Sequence, residues 1–331
     1  MLDLPILILT HNDADGLSAA ALLARAFTLA GKETGVRILG RGENPWMDEV
    51  RAEVAQTPKA GLIVTDLGIR AEVIAPGTIV VFIDHHVPQG LPTDATVISA
   101  YGEQPTPTSS LLAWRCAGVM ADIDDLLWLA ALGIIGDLGS NAPFEELAVA
   151  KRRYGAAVLR EATSLINAPR RTSTGDARPA FDLLVKAKSP HEVVSSDHPE
   201  TRILQGAREE VSAALKAAKR TPPKIRNGVA LILFSSPCQL HPLVAQAWRS
   251  RLKGNIVIAA NSGYRQGWVH FSARSATGIN LVEFLREKAP AGADANYGSG
   301  HEQATGGALR PDAWNEFVAR LGFGPEARIT S

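Results

Sequence analysis

The sequence predicts two α/β domains: a larger N-terminal one built on a parallel sheet, a smaller C-terminal one, and a cleft between them. Three observations carry this expectation. Near-continuous apolar runs at 4–10, 60–65 and 78–83 alternate with helical patterning, as in strands buried on both faces. The chain of 331 residues exceeds one ordinary domain. A polar stretch at 191–199 and an Ala-rich charged helix over 200–220, stopped by Thr221-Pro-Pro223, separate these runs from a second apolar series. The boundaries drawn are 1–190 for the first domain, 191–226 for a connector and 227–331 for the second.

The elements follow in order. Leu4–Thr10 is the first strand, and a helix starts at Leu17, behind His11-Asn-Asp13-Ala-Asp15-Gly16. A weak strand at 36–39 and a helix over 46–55 precede strands at 60–65 and 78–83, which end on Asp66-Leu-Gly68 and Asp84-His85-His86. Thr108, Ser109 or Ser110 caps a helix beginning near Leu111. A longer helix over 123–135 leads to Gly136-Asp137, and residues 145–188 read as helices broken at Asn167-Ala-Pro169 and Thr172–Gly175. The second domain holds strands at 228–234, 255–260 and 267–273, helices at 243–252, 279–288 and 313–321, and a glycine-rich loop over 298–307.

Charge is balanced overall but unevenly spread. Residues 1–150 carry 8 Lys/Arg against 19 Asp/Glu, whereas 151–226 carry 16 against 8. An acidic half followed by a basic segment suits a cation site facing a polyanion, although solvated helix surface is the plainer reading of any single Lys or Arg. Cys116 and Cys238 lack a Cys-x-x-Cys spacing and read as buried thiols in a reducing compartment. No signal peptide is apparent, and the apolar stretch 126–136 is too short to span a bilayer. The expected setting is the cytoplasm, with no membrane partner.

Strand ends thus deliver His11, Asp13, Asp15, Asp66, Asp84, His85 and His86 to the sheet edge where α/β proteins bind ligands, and Asp137 joins them after a helix. Asp13 and Asp15 could simply cap the helix that follows. Capping needs one acid, however, and crowded carboxylates repel unless a cation neutralises them. Mixed His/Asp donors suit two divalent ions, Mn²⁺ best, with Mg²⁺, Co²⁺ or Zn²⁺ as alternatives. Two metals about 3.5–4 Å apart, sharing a carboxylate and an attacking hydroxide, hydrolyse phosphate esters without a protein nucleophile. Gly-x-Ser-x-Gly, His-Glu-x-x-His and P-loop patterns are absent from the sequence.

The order His11-x-Asp13-x-Asp15-Gly16, Asp66-x-Gly68, Asp84-His85-His86, Gly136-Asp137 resembles the DHH phosphoesterase superfamily. Gly298-Ser-Gly300-His301 with Gly306-Gly307 is similar to the glycine-rich signature of its DHH-associated C-terminal domain. The resemblance implies one metal held by His11, Asp13 and Asp66 and another by Asp15, Asp66, His85 and Asp137. It implies catalytic roles for Asp66, for Asp84 as the group orienting an imidazole, and for His86 at the scissile phosphate or leaving oxygen. Arg274 and Ser275, with Gly298, Gly300, His301, Gly306 and Gly307, would bind the substrate's phosphate and terminal nucleotide.

The single residue between His11 and Asp13 is more like RecJ-type exonucleases than small-oligonucleotide phosphatases, which place three there. RecJ proteins are longer, and aromatics are only 6% of this chain, which gives a long single-strand channel little support. The expected substrate is a short single-stranded oligonucleotide or a nucleotide. A pyrophosphatase, a cyclic-dinucleotide phosphodiesterase and a non-catalytic nucleic-acid-binding protein stay open, as does a homodimer.

Overall fold

The computed structural model describes residues 4–195, 197–293 and 297–330, without the side chains of 299–301. It divides into two compact units. The first takes in the chain up to Arg170 and Gly175–Arg208; the second takes Arg171–Thr174 and the chain from Glu209 onward. Both contain a sheet flanked by helices, the α/β architecture expected of each.

The first unit comprises β1 (Ile6–Thr10), α1 (Ala14–Leu29), β2 (Thr34–Ile38), α2 (Asp48–Gln56), β3 (Gly61–Thr65), β4 (Val80–Asp84), β5 (Ala95–Ser99), α3 (Ser109–Ala117), α4 (Leu127–Leu138), α5 (Glu145–Tyr154), α6 (Ala156–Ile166), α7 (Arg178–Lys186) and α8 (Pro190–Ser195). Its five strands are all parallel, in the order β2-β1-β3-β4-β5. One sheet face packs Ile8, Ile63 and Ile83 against the helices α1, α3 and α4; the other packs Leu9, Leu62, Val64 and Phe82 against Val50 and Val54 of α2. This double burial is why the three strands read as continuous apolar runs.

The chain leaves β1 for β2 on one side and then crosses to β3 on the other, so the order reverses between β1 and β3. Crevices at such switch points hold ligands. Thr10 pairs with Thr65 there, which sets the next residues, His11 and Asp66, side by side at the mouth.

α1 starts earlier than the sequence suggested. Of the two capping candidates Asp13 is the cap: its carboxylate accepts from Gly16 N at 3.2 Å, and Asp15 lies in the first turn. Gly16 is required by proximity, since a Cβ there would stand 2.7 Å from the His11 carbonyl. Gly133 in α4 is just as constrained, because a Cβ would fall onto Ser110 Oγ and Asp15 Oδ1. α4 therefore comes close enough to α1 and α3 to bring Asp137 to the sheet edge. Asp137 sits in the last turn of α4 rather than after it.

Other departures are local. No helix separates β3 from β4, and β5 went unforeseen because it is a half-exposed edge strand. The polar stretch at 191–199 contains α8. Cys116 is half-buried although Cys238 is buried, and neither is held in a disulfide.

α9 (Pro199–Ala218) begins in the first unit and ends in the second. The second unit continues with β6 (Lys224–Arg226), β7 (Val229–Phe234), α10 (His241–Arg249), β8 (Ile256–Arg265), β9 (Trp268–Ser275), α11 (Leu281–Glu287), β10 (Ser299–His301), β11 (Ala304–Leu309) and α12 (Pro311–Arg320). The sheet order is β10-β11-β9-β8-β7-β6, parallel only between β7 and β8. Its glycine-rich segment is a strand pair, not a loop. Gly306 is demanded by the crossing with β9, where a Cβ would overlap the Phe271 carbonyl. The included piece 171–174 is held within this unit by Gln239 N donating to Arg171 O at 2.9 Å and by Ser173 N donating to Glu210 Oε1 at 2.7 Å. Among the described residues, no helix is long and apolar enough to cross a membrane.

Candidate metal centre

Side chains from β1, α1, β3, β4 and α4 converge at the switch point. His11 Nδ1 lies 2.9 Å from Asp13 Oδ2 and 3.5 Å from Asp66 Oδ2. His85 Nε2 faces three carboxylates, Asp137 Oδ2 at 3.2 Å, Asp66 Oδ1 at 3.5 Å and Asp15 Oδ2 at 3.9 Å. Three sets of donor atoms lie within 4.8 Å of one another: His11, Asp13 and Asp66; Asp15, Asp66, His85 and Asp137; and Asp66, His85 and His86. Asp66 is common to all three.

Its backbone is unusual too. Asp66 has φ 61°, a left-handed conformation that non-glycine residues adopt at a cost of about 1–2 kcal/mol. Such strain gathers at functional sites, where the surroundings hold it in place.

Asp84 stands apart from the other acids. Its Oδ2 accepts from Leu67 N and Gly68 N, both at 2.8 Å, and its Oδ1 accepts from His86 N at 2.7 Å and lies 2.9 Å from His86 Nδ1. It is buried and fully engaged, bracing the turn after β3 and orienting His86 while His85 faces the acid cluster. Replacing Asp84 by Ala leaves those backbone N–H groups without their acceptor. Each such loss costs about 1–3 kcal/mol when buried, so chemical denaturation should show a stability loss of that order or more.

The electrostatics follow from crowding. Burial and the neighbouring acids Asp137 and Asp13 push Asp15 up to about 6. Burial, with Asp13 and Asp15, raises Asp66, and burial, with Asp66 and Asp13, raises Asp137. For His11 burial favours the neutral ring, but Asp13 and Asp66 outweigh it and lift the imidazole to about 10. The same contest lifts His85 to about 11, with Asp137, Asp66 and Asp15 prevailing over burial. Asp13 is held low, since His11 and Arg170 overcome its burial. In the absence of metal, protons on the imidazoles do the neutralising.

The donor set fits dications. His85 Nε2 is buried without a hydrogen bond although three carboxylates surround it, so it lacks the partner its position calls for. Oxygen donors mixed with imidazole match Mn²⁺ or Mg²⁺-type ions.

Several contributors were invisible to sequence reasoning. Ser109 N and Ser110 N, opening α3, donate to the two oxygens of Asp15 at 2.8 and 3.0 Å, and Ser109 Oγ donates to Asp66 Oδ1 at 3.1 Å. Asn167 Oδ1 accepts from Ala14 N at 3.0 Å, and Arg170 Nη1 donates to Asp13 Oδ2 at 2.6 Å. The signal for the last two was only the Asn-Ala-Pro break before paired arginines. A cleft of about 300 Å³ beside Asn12 is lined by Val36–Gly40 and Gly175–Arg178.

Residues 5–134 match the DHH family, N-terminal domain. That segment is a DHH-type N-terminal domain. A search of curated proteins gave no match. Solved structures with the fold include RecJ from Thermus thermophilus in complex with Mn²⁺, at 20% identity and TM-score 0.67, covering 96% of this chain and 51% of that one. An exonuclease RecJ bound to manganese gives 22% and 0.65, covering 96% and 89%. A pGpG-specific phosphodiesterase, PggH, from Vibrio cholerae gives 13% and 0.53, covering 97% and 100%. The chain spans about half the length of the Thermus protein. The DHH triplet of this chain is Asp84-His85-His86.

The remaining sequence candidates lie in the second unit, on three neighbouring strands or, for Gly298, just before one of them. Arg274 pairs with Ala304 and its Nη1 donates to Ala273 O at 2.8 Å and Thr305 O at 3.3 Å. Ser275 Oγ lies 2.7 Å from Thr277 Oγ1. Gly306 faces Ser299 on one side and Ser272 on the other, Gly307 faces Phe271, and Gly298 N donates to Gly306 O at 2.9 Å. Gly300 faces Thr305, and His301 faces Ala304 with its side chain outside the described residues. Five of the basic side chains in 151–226 pair with nearby acids: Arg152 with Glu145, Arg153 with Asp124, Arg178 with Asp182, Lys186 with Glu200 and Arg208 with Glu161.

Proposed function

We propose that this DHH protein is a metal-dependent phosphoesterase that hydrolyses phosphodiester or phosphomonoester bonds of short single-stranded oligonucleotides or nucleotides. The observation that carries the reading is Asp66 held in a left-handed turn between two groups of donors, His11 with Asp13 and His85 with Asp15 and Asp137. Those groups would hold two divalent ions, Mn²⁺ as the preferred metal, with Asp66 belonging to both donor sets. Bound dications supply an activated water and charge neutralisation at phosphorus.

The chain's own residues do the rest. His86 has its Nδ1 tied to Asp84 and its side chain half-exposed, which leaves Nε2 to carry the proton handed to the leaving oxygen. Asp84 keeps that ring in place and favours its charged form. Arg274, Ser275 and the backbone of Gly298, Gly300, Gly306 and Gly307, with His301, bind the phosphate and the terminal nucleotide. The likeness to proteins named as an exonuclease and a pGpG-specific phosphodiesterase supports a nucleotide-containing substrate.

The test is a parallel assay with Mn²⁺ of short RNA and DNA oligonucleotides, pGpG, phosphoadenosine phosphate and pyrophosphate. Turnover of a di- to pentanucleotide or a nucleotide phosphoester is the expected result. Hydrolysis of pyrophosphate alone, or metal binding with no cleavage of any substrate, would overturn it.

A further inference from the structure

Arg170 enters the metal centre from the turn after α6, on a segment fixed by the Asn167 bond to Ala14 N. Its Nη1 lies 2.6 Å from Asp13 Oδ2, the same oxygen that faces His11 Nδ1 at 2.9 Å. The other oxygen of Asp13 accepts from Gly16 N. Both oxygens therefore already have donors, one of them the partly buried guanidinium of Arg170.

The group around His85 is built differently. Among the described residues, Asp15, Asp66 and Asp137 form ion pairs with imidazoles alone. An imidazolium can surrender its proton and become a ligand, whereas a guanidinium stays charged and has no lone pair to offer. A cation joining His11, Asp13 and Asp66 must displace Arg170 from Asp13 or share Oδ2 with it at close like-charge distance. A cation joining Asp15, Asp66, His85 and Asp137 meets no guanidinium, since the other donors to Asp15 and Asp66 are the uncharged N–H and hydroxyl groups of Ser109 and Ser110.

We propose that Arg170 makes the His11–Asp13–Asp66 group the weaker of the two metal sites, so that the site around His85 fills first and the second ion enters only as Arg170 yields Asp13. The inference rests on the two-metal reading above. It makes Arg170 a positioning residue that sets the order of metal loading, and it assigns a function to a side chain outside the matched domain segment.

The test is a calorimetric titration of Mn²⁺ into the metal-stripped protein, with free Mn²⁺ followed by electron paramagnetic resonance. Wild type should bind in two steps whose Kd values differ by at least about tenfold, the size of effect that one nearby charge has on an ionic equilibrium. His11→Gln should remove the weak step, and Asp137→Asn should remove the tight one. Arg170→Gln, with folding checked by thermal melting, should tighten the weak step by about tenfold or more and move the tight step less than about twofold. Arg170→Lys, which keeps the charge, should stay near wild type. A lost packing contact would weaken both variants alike, so the Gln–Lys split separates charge from structure. Two equal steps in wild type, or a weak step unchanged in folded Arg170→Gln, would overturn the proposal and leave the two-metal reading standing. Fewer than two Mn²⁺ bound by wild type would overturn that reading as well.

Discussion

Replacing Asp66 by Asn is expected to reduce phosphoester turnover by more than about 100-fold, the upper end of the loss seen when merely an outer partner of a metal ligand is removed. Asp66 faces His11 through Oδ2 and His85 through Oδ1, and no other carboxylate belongs to all three donor groups among the described residues. An amide there cannot serve as a charged ligand to two ions at once. The fold should survive, because Asn tolerates the left-handed φ of 61° that Asp66 occupies. Asp66→Gly is the sharper form of the experiment: it removes the acid and relieves strain of about 1–2 kcal/mol, so, with both proteins metal-free, a melting temperature at or above wild type should accompany the lost activity. Turnover, melting temperature and metal content measured together decide the matter. Activity retained at full metal content would show that Asp66 is not shared.

Metal removal should make stability fall as pH rises. A group whose pKa is higher in the folded state binds more protons there than in the unfolded chain, so its contribution is complete below the unfolded pKa and disappears as pH climbs through the folded one. For Asp15 that window runs from 3.8 to about 6; for His85 it runs from 6.5 to about 11 and for His11 from 6.5 to about 10. Asp13 and Asp84, whose pKa values are lowered, act in the opposite sense only at acid pH. The melting temperature of the metal-free protein should therefore drop between pH 6.5 and about 9. Mn²⁺ at pH about 8 should reverse the loss, by about 2.7 kcal/mol at a free concentration about 100 times Kd. Because the ion takes the place of protons, its binding should tighten with pH and release protons. Titrations in two buffers of different ionisation heat measure that release. A metal-free protein more stable at the alkaline end of that window than at its start, with no proton release on titration, would contradict the electrostatic description.

The cluster was readable from sequence where a ligand follows an apolar run, because a strand buried on both faces fixes the position of the residue after it. This holds for His11 after β1, Asp66 after β3, and His85 after β4. Ser109, Ser110, Asn167 and Arg170 were not readable: each reaches the centre from a segment remote in sequence, and hydrogen bonds of that range leave no periodicity. β5 escaped notice because half-exposed Ala95–Ser99 carries no strong apolar signal. The glycines at 298–307 suggested a loop, yet Gly306 is there because a neighbouring strand passes too near for a side chain. Asp137 was placed after a helix because Gly136 resembles a stop, whereas it lets α4 pass against Ala14.

The four-residue inclusion Arg171–Thr174 has a consequence for biosynthesis. Its hydrogen-bonding partners Glu210 and Gln239 leave the ribosome later than α7 and α8, which return to the first unit. The N-terminal half consequently has to close around a short excursion whose own docking place has not yet been translated. No single contiguous piece of this polypeptide contains all of one half and none of the other.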